Sequence, residues 1–253
     1  MNATVELERR GGIALVTVSN PTIKNALTRQ MALDLVGLFD EVDNDPSLGC
    51  LIVTGADGAF CSGADTKSWS EAFAEPDTDR SLEEADAMYN AFFRLGQVGM
   101  PTIAAVNGAA VGAGLNLAMA TDLRIVAKDV RLMAGFLRAG IHPGGGFFTM
   151  SSRLAGREAA AAMGLFSEEV SGERAVEIGL AWEAVEPDAV LSRSLELAAR
   201  ITQDIPLARR AVRSFRLETE GASMPWAVAL EVERGVQAWS QTRRLRAPEM
   251  ETN

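Results

Sequence analysis

Positive charge is scarce in this sequence: 24 Lys and Arg face 34 Asp and Glu, a net charge of −10 at neutral pH. That balance argues against wholesale binding to nucleic acid or an anionic membrane, and a phosphorylated ligand would need local cations. Cysteine is scarcer still. Cys50 and Cys61 form no CxxC pair and are too few for a disulfide framework. No His, Cys and carboxylate cluster has metal-ligand spacing, so no metal is expected. There is one histidine and one tyrosine. The longest weakly polar run, 108–120, is too short to span a bilayer. The first residues lack the basic start and apolar stretch of a signal peptide, so a cytoplasmic location is expected.

Apolar residues make up 47% of the 253-residue chain, enough for a substantial core in one large domain or a domain with an appendage. Val5–Leu7 and Ile13–Val18 flank Gly11-Gly12 and predict a hairpin. The stretch 20–27 reads as a Pro/Asn loop. Met31, Leu35, Leu38, Phe39 and Val42 follow helical spacing, with Thr28 as N-cap and Asn44-Asp45-Pro46 as the stop. Cys50–Thr54 reads as a buried strand and 55–69 as a glycine-rich loop. Ser81 and Glu84 resemble a capping box opening a helix to Gln97. Pro101–Val106 and Leu123–Ala127 predict strands around a helix near 112–120. This alternation predicts an α/β fold. Beyond about residue 145 the pattern is helical: 146–155, 157–165, 172–179, 187–203, 206–219 and 225–243. The last sixty residues read as a helical appendage for packing or assembly rather than chemistry.

Three of the usual glycine motifs are absent. Gly58 and Gly63 have phosphate-loop spacing, but Ala64-Asp65 follow where Lys and Ser/Thr are required. The stretch 108–118 lacks the third glycine of a dinucleotide fingerprint, and no G-x-S-x-G elbow occurs. The first N–H groups of a helix have no intrahelical partner and carry the positive end of its dipole. Gly112, Ala113 and Gly114 leave such groups open, and the loop from Cys61 to Asp65 offers another unobstructed backbone. If they converge, the two segments make an oxyanion hole for a thioester carbonyl. The other reading of the same small residues is tight helix–strand packing.

The motifs Asn20-Pro21…Lys24-Asn25-Ala26-Leu27, Gly58–Lys67, Pro101–Ala118 with Asp122, and Gly140-Ile-His-Pro143-Gly-Gly-Gly146 resemble the enoyl-CoA hydratase/isomerase (crotonase) superfamily. The resemblance covers nearly the whole chain. It implies a spiral of ββα units (residues 1–195) with an acyl-CoA site, then a C-terminal helical trimerisation region (196–253). A homotrimer or dimer of trimers would follow. It further implies that the N–H groups of Ala64 and Ala113 form the oxyanion hole. Lys24, Ala26, Ser62, Asp65, Thr66 and Lys67 match segments lining the CoA site. CoA would enter only as part of the thioester substrate, with no permanently bound cofactor.

Two departures stand out. Family hydratases carry one catalytic Glu where this chain has Asn116, and a second where counting back from Pro143 gives Phe136. Neither replacement exchanges protons near neutral pH, whereas each general acid or base is worth about 10²–10⁴ in rate. An efficient conventional hydratase is therefore not expected. Asn116 can orient a water or polar acyl substituent, or serve only as pocket wall. His142 is the one histidine and has a base's ordinary pKa, against a structural or exposed reading beside Pro143. Asp65 belongs with the CoA-binding loop. Among Glu71, Glu75, Asp77, Asp79, Glu83 and Glu84, one carboxylate could fold over the pocket. Tyr89 reads as helix packing, Phe136 and Trp69 as pocket or core.

The resulting expectation is an acyl-CoA lyase or isomerase of fatty-acid metabolism that stabilises a thioester enolate. One base-free route is decarboxylation of a malonyl-type thioester. The alternatives are a catalytically inactive acyl-CoA-binding homologue and an assembly partner of another enzyme.

Overall fold

The computed structural model describes residues 3–74, 78–219 and 225–246. The chain opens with the expected hairpin, β1 (Thr4–Arg10) and β2 (Ile13–Ser19), paired antiparallel with Arg10 opposite Ile13. Next come α1 (Arg29–Asn44), β3 (Cys50–Gly55), α2 (Thr66–Ala72), α3 (Asp79–Gln97), β4 (Thr102–Val106), β5 (Ala110–Val111), α4 (Ala113–Met119) and β6 (Leu123–Ala127). After these follow β7 (Leu132–Met133), α5 (Phe147–Leu165), β8 (Glu169–Val170), α6 (Gly172–Glu177), β9 (Glu183–Val185), α7 (Val190–Ile201), α8 (Ile205–Thr219) and α9 (Trp226–Arg246).

The strands form a six-stranded sheet, β1-β2-β3-β4-β6-β9, and a small one, β5-β7-β8. From β2 to β9 every neighbour in the large sheet is parallel. Every residue of β3 and β4 is buried, as strands covered on both faces require. This is the mixed α/β winding of repeated strands and helices, closed by C-terminal helices. Among the described residues no helix is long and apolar enough to cross a membrane.

Several local signals behave as read. The Thr28 side chain accepts the Met31 N–H, and its helix buries Met31, Leu35, Phe39 and Val42. Gly156, with φ of 80°, breaks the regular geometry inside α5, matching the two helices expected there. Other signals do not. The helix before Gln97 begins at Asp79, because Thr78 supplies the cap and takes the Ser81 N–H; Ser81 is therefore inside the helix. The glycine-rich loop ends early, at Asp65, which caps α2. The C-terminal half also contains β8 and β9, the latter closing the large sheet beside β6.

α8 is tied to the core by a charge cluster around Asp122, and a second tie runs from Arg209 to Asp43. Asp122 Oδ2 accepts the Thr102 N–H at 2.8 Å and hydroxyl at 2.9 Å, and Arg216 reaches both Asp122 oxygens at 3.0 and 2.8 Å. The two charged side chains are only 19% and 16% exposed. Asp122→Ala strands the Arg216 guanidinium, and a loss of about 3 kcal/mol is expected in urea unfolding. Asp122→Ala with Arg216→Met should recover part of it; no recovery would mean that the pairing is not what matters there.

Candidate functional site

Two loops build the floor of the site by holding each other. The Asn25 side chain accepts the Asn20 N–H at 2.8 Å and donates to the Ala56 and Ala59 carbonyls, both at 2.8 Å. Lys24 and Asn25 sit at positive φ, 51° and 60°, which turns the loop sharply. Leu27 then donates to Gly63 and accepts from Asp65, both at 2.8 Å, while Ser62 N–H reaches the Lys24 carbonyl at 3.0 Å. These bonds bring 20–27 against 61–65 and bracket Ala64. Its own N–H has no hydrogen-bond partner among the described residues.

The second element is the start of α4. Val111 N–H bonds the Cys61 carbonyl and Gly112 N–H bonds Met133, each at 3.0 Å. Gly112 adopts φ 53° with ψ −115°, a geometry that L side chains avoid, and aims the next residue into the first helical position. That residue is Ala113, whose N–H likewise has no partner among the described residues. Gly114 is required by contact: a Cβ there would lie 2.0 Å from the Cys61 carbonyl oxygen. Burial pushes the Cys61 thiol up to about 12, so it packs as a neutral group rather than acting as a nucleophile.

Ala64 and Ala113 line the same cavity, about 170 Å³ in volume. Donors of this kind, fixed before a ligand arrives, suit an oxygen that gains negative charge. Much of the remaining wall is apolar, including Met88, Phe92, Met133, Phe136 and Ile141. Asn116 also lines it; its Nδ2 donates to the Gly144 carbonyl at 2.8 Å, while its buried Oδ1 has no partner among the described residues. Phe136 faces the cavity and packs edge-on against Phe147, centroids 5.7 Å apart. No Asp, Glu, Lys, Arg or His belongs to the lining among the described residues. Tyr89 is the sole ionisable side chain there, and its hydroxyl donates to Gln237 Oε1.

His142 is not brought to the cavity. Its ring is half-buried, meets Phe148 edge-on and holds Nδ1 2.6 Å from the Pro143 carbonyl. His142 is absent from the cavity lining, so the geometry lends the reading of it as a base no support. Of the six residues matched to the CoA segments, Ser62 and Thr66 line the cavity. Lys24 and Lys67 are exposed, Ala26 is buried in the loop, and Asp65 accepts the Lys67 N–H at 3.1 Å as the α2 cap. Glu71, Asp79 and Glu83 are exposed; Glu75 and Asp77 lie outside the described residues. Glu84 is buried, and desolvation raises its carboxyl above the ordinary range, but it does not line the cavity.

The reading of the last sixty residues as an appendage without a part in the site is also corrected: Gln237 and Gln241 of α9 line the cavity. The Gln237 amide packs against Gly144, where a Cβ would lie 2.1 Å from its Nε2. Trp226, further back on α9, rests against Phe93 with ring centroids 5.5 Å apart. Two uncharged glutamines four residues apart are the only trace of this role in the sequence, and nothing local says what they face.

Residues 8–243 match the enoyl-CoA hydratase/isomerase family. The chain is 36% identical over 242 residues to a Mycobacterium tuberculosis protein named probable enoyl-CoA hydratase EchA14, covering 94% of this chain and 90% of that one. It is 30% identical to the 1,2-epoxyphenylacetyl-CoA isomerase of Escherichia coli, over 82% and 81% of the two chains. Its fold is that of a Bacillus halodurans enoyl-CoA hydratase, with a TM-score of 0.86, 21% identity and coverage of 96% and 99%.

Proposed function

Because the chain belongs to the enoyl-CoA hydratase/isomerase family, we propose that it binds an acyl-CoA thioester with the carbonyl oxygen on the N–H groups of Ala64 and Ala113. The observation that supports this reading is that Ala64 and Ala113, from separate segments and each with an N–H unpartnered among the described residues, line one cavity. Such a pair holds the thioester enolate more tightly than the ground-state carbonyl, which is what lowers a barrier. The cavity is smaller than the roughly 300–1,000 Å³ of sites that enclose a whole drug-sized ligand. It therefore takes the acyl end, and the CoA portion lies along the joined loops, where exposed Lys24 and Lys67 provide local cations on an acidic chain.

The wall residues narrow the reaction. Asn116 and Phe136 line the cavity where the family's hydratases would place carboxylates, and no other carboxylate or imidazole takes over among the described residues. Conventional hydration, which needs water deprotonated and a carbon protonated, is then slow. The family also includes rearrangement chemistry, since one relative is named an epoxyphenylacetyl-CoA isomerase. A second reading is favoured by a wall without base or cation among the described residues: loss of CO₂ from a malonyl-type thioester, whose unpaired buried carboxylate is relieved of its charge when it leaves as CO₂. There the C–C bond breaks, its electron pair passes into the thioester as enolate, and no base is consumed. We assign the exposed Phe166 and Trp182, 81% and 65% accessible, to assembly into a homotrimer or a dimer of trimers.

Mass spectrometry of the purified protein with a panel of enoyl-, hydroxyacyl- and dicarboxyl-CoA esters tests the reading, alongside titration calorimetry. Turnover of at least one ester is expected. Binding without turnover would make the protein an acyl-CoA carrier, and failure to bind any ester would overturn the proposal.

A further inference from the structure

The apolar cavity contains polar atoms that the fold itself does not use. Trp69 Nε1, Asn116 Oδ1 and both amide atoms of Gln241 are buried with no hydrogen-bond partner among the described residues, and all three residues line the cavity. Their residues are 7%, 2% and 0% exposed. Buried polar groups left unpaired are costly and uncommon, so an orphan group at a cavity wall points to a ligand that completes it.

Gln237 provides an internal contrast. It lies one helical turn before Gln241 on the same face of α9, and its amide is engaged at both ends. Its Oε1 accepts from Tyr89 and its Nε2 donates to the His142 carbonyl at 3.4 Å. Gln237 is thus accounted for by the architecture, and Gln241 is not.

The chemistry of the orphan atoms restricts what completes them. The Trp69 indole only donates, whereas the Gln241 carboxamide donates through Nε2 and accepts through Oε1. An oxygen that accepts from Trp69 and Gln241 satisfies the donors, and a hydroxyl hydrogen satisfies Gln241 Oε1. A carboxylate does not suit the place: no Lys, Arg or His lines the cavity among the described residues, so its charge would be buried unpaired.

Resting on the acyl-CoA reading above, we propose that Gln241 and Trp69 form a subsite for a neutral oxygen on the acyl chain, a hydroxyl or ketone beyond the thioester carbonyl. The acyl group this protein prefers is oxygenated rather than a plain alkyl chain.

Calorimetry with short CoA esters of matched length tests this, one saturated, one ending in a carboxylate, and a series carrying a single hydroxyl or keto group moved carbon by carbon. At least one oxygenated ester is expected to bind about tenfold or more tightly than the saturated one. Gln241→Leu and Trp69→Phe, each shown by circular dichroism to be folded, should shrink that ratio. Equal binding of saturated and oxygenated esters, or a ratio untouched in both variants, would overturn the subsite. Preference for the carboxylate ester would overturn its neutral character. Failure of every ester to bind would instead overturn the acyl-CoA reading on which this one rests.

Discussion

Asn116→Glu combined with Phe136→Glu should raise the hydration of a short enoyl-CoA by at least about a hundredfold, with either change alone giving far less. Each general acid or base contributes about 10²–10⁴ in rate, and hydration uses two in concert. Both positions line the cavity with the two free N–H groups, so the new carboxyls would face a substrate already seated. No cation lines the cavity among the described residues, and two carboxyls confined there raise each other's pKa until one keeps its proton. Position 116 is the one to keep it, since the Asn116 amide now donates to the Gly144 carbonyl and only a protonated carboxyl can do the same. The residue at 136 then ionises and activates water. Loss of the Phe136 contact with Phe147, with a carboxyl buried in its place, will lower stability by at least the roughly 3–5 kcal/mol of a full Phe→Ala truncation. The measurement is loss of enoyl absorbance over a pH series, on protein shown to be folded by circular dichroism. A folded double variant that binds crotonyl-CoA yet hydrates it no faster than the parent would sink the assignment of these two positions.

The parts of this arrangement that a reader of the sequence could find are those fixed by neighbours along the chain. Thr28, Asn44-Asp45-Pro46 and the apolar runs of β3 and β6 mark their elements because capping and burial there are local or nearly so. The Gly112–Gly114 stretch was legible for the same reason, as a helix start stripped of side chains. β5, β7, β8 and β9 were not, since strands of two or three residues carry no period and exist only through pairing with distant segments. Asn116 was conspicuous, but its bond to Gly144 depends on a loop twenty-eight residues away. Gln241 shows the limit most clearly. Its face of α9 carries no strong apolar stripe to say which side turns inward, and docking against α3 and α5 decides it.

Ala113→Pro should remove about 10²–10³ of the rate while leaving the fold intact. Residue 113 is the first of α4, where proline is favoured because its missing N–H has no helical partner in any case. On the proposed reading the missing N–H is instead one of the two donors to the thioester oxygen, and deleting one such donor typically costs about 2.7–4 kcal/mol of transition-state stabilisation. The effect is clearest in the protein carrying Asn116→Glu and Phe136→Glu, where the hydration rate gives a direct readout that does not depend on knowing the native substrate. Melting temperature and CoA-ester affinity should change little, because the donor matters most once charge has gathered on the oxygen. Ala113→Gly, which keeps the N–H, is the companion variant and should retain most of the rate. If Ala113→Pro stays folded and hydrates as fast as its parent, the small residues before α4 serve packing against Cys61 and not the thioester oxygen. The 2.0 Å that a Cβ at Gly114 would leave to the Cys61 carbonyl already shows that packing makes its own demand one residue later. Both demands act on the same turn of helix, and only the proline variant removes one while sparing the other.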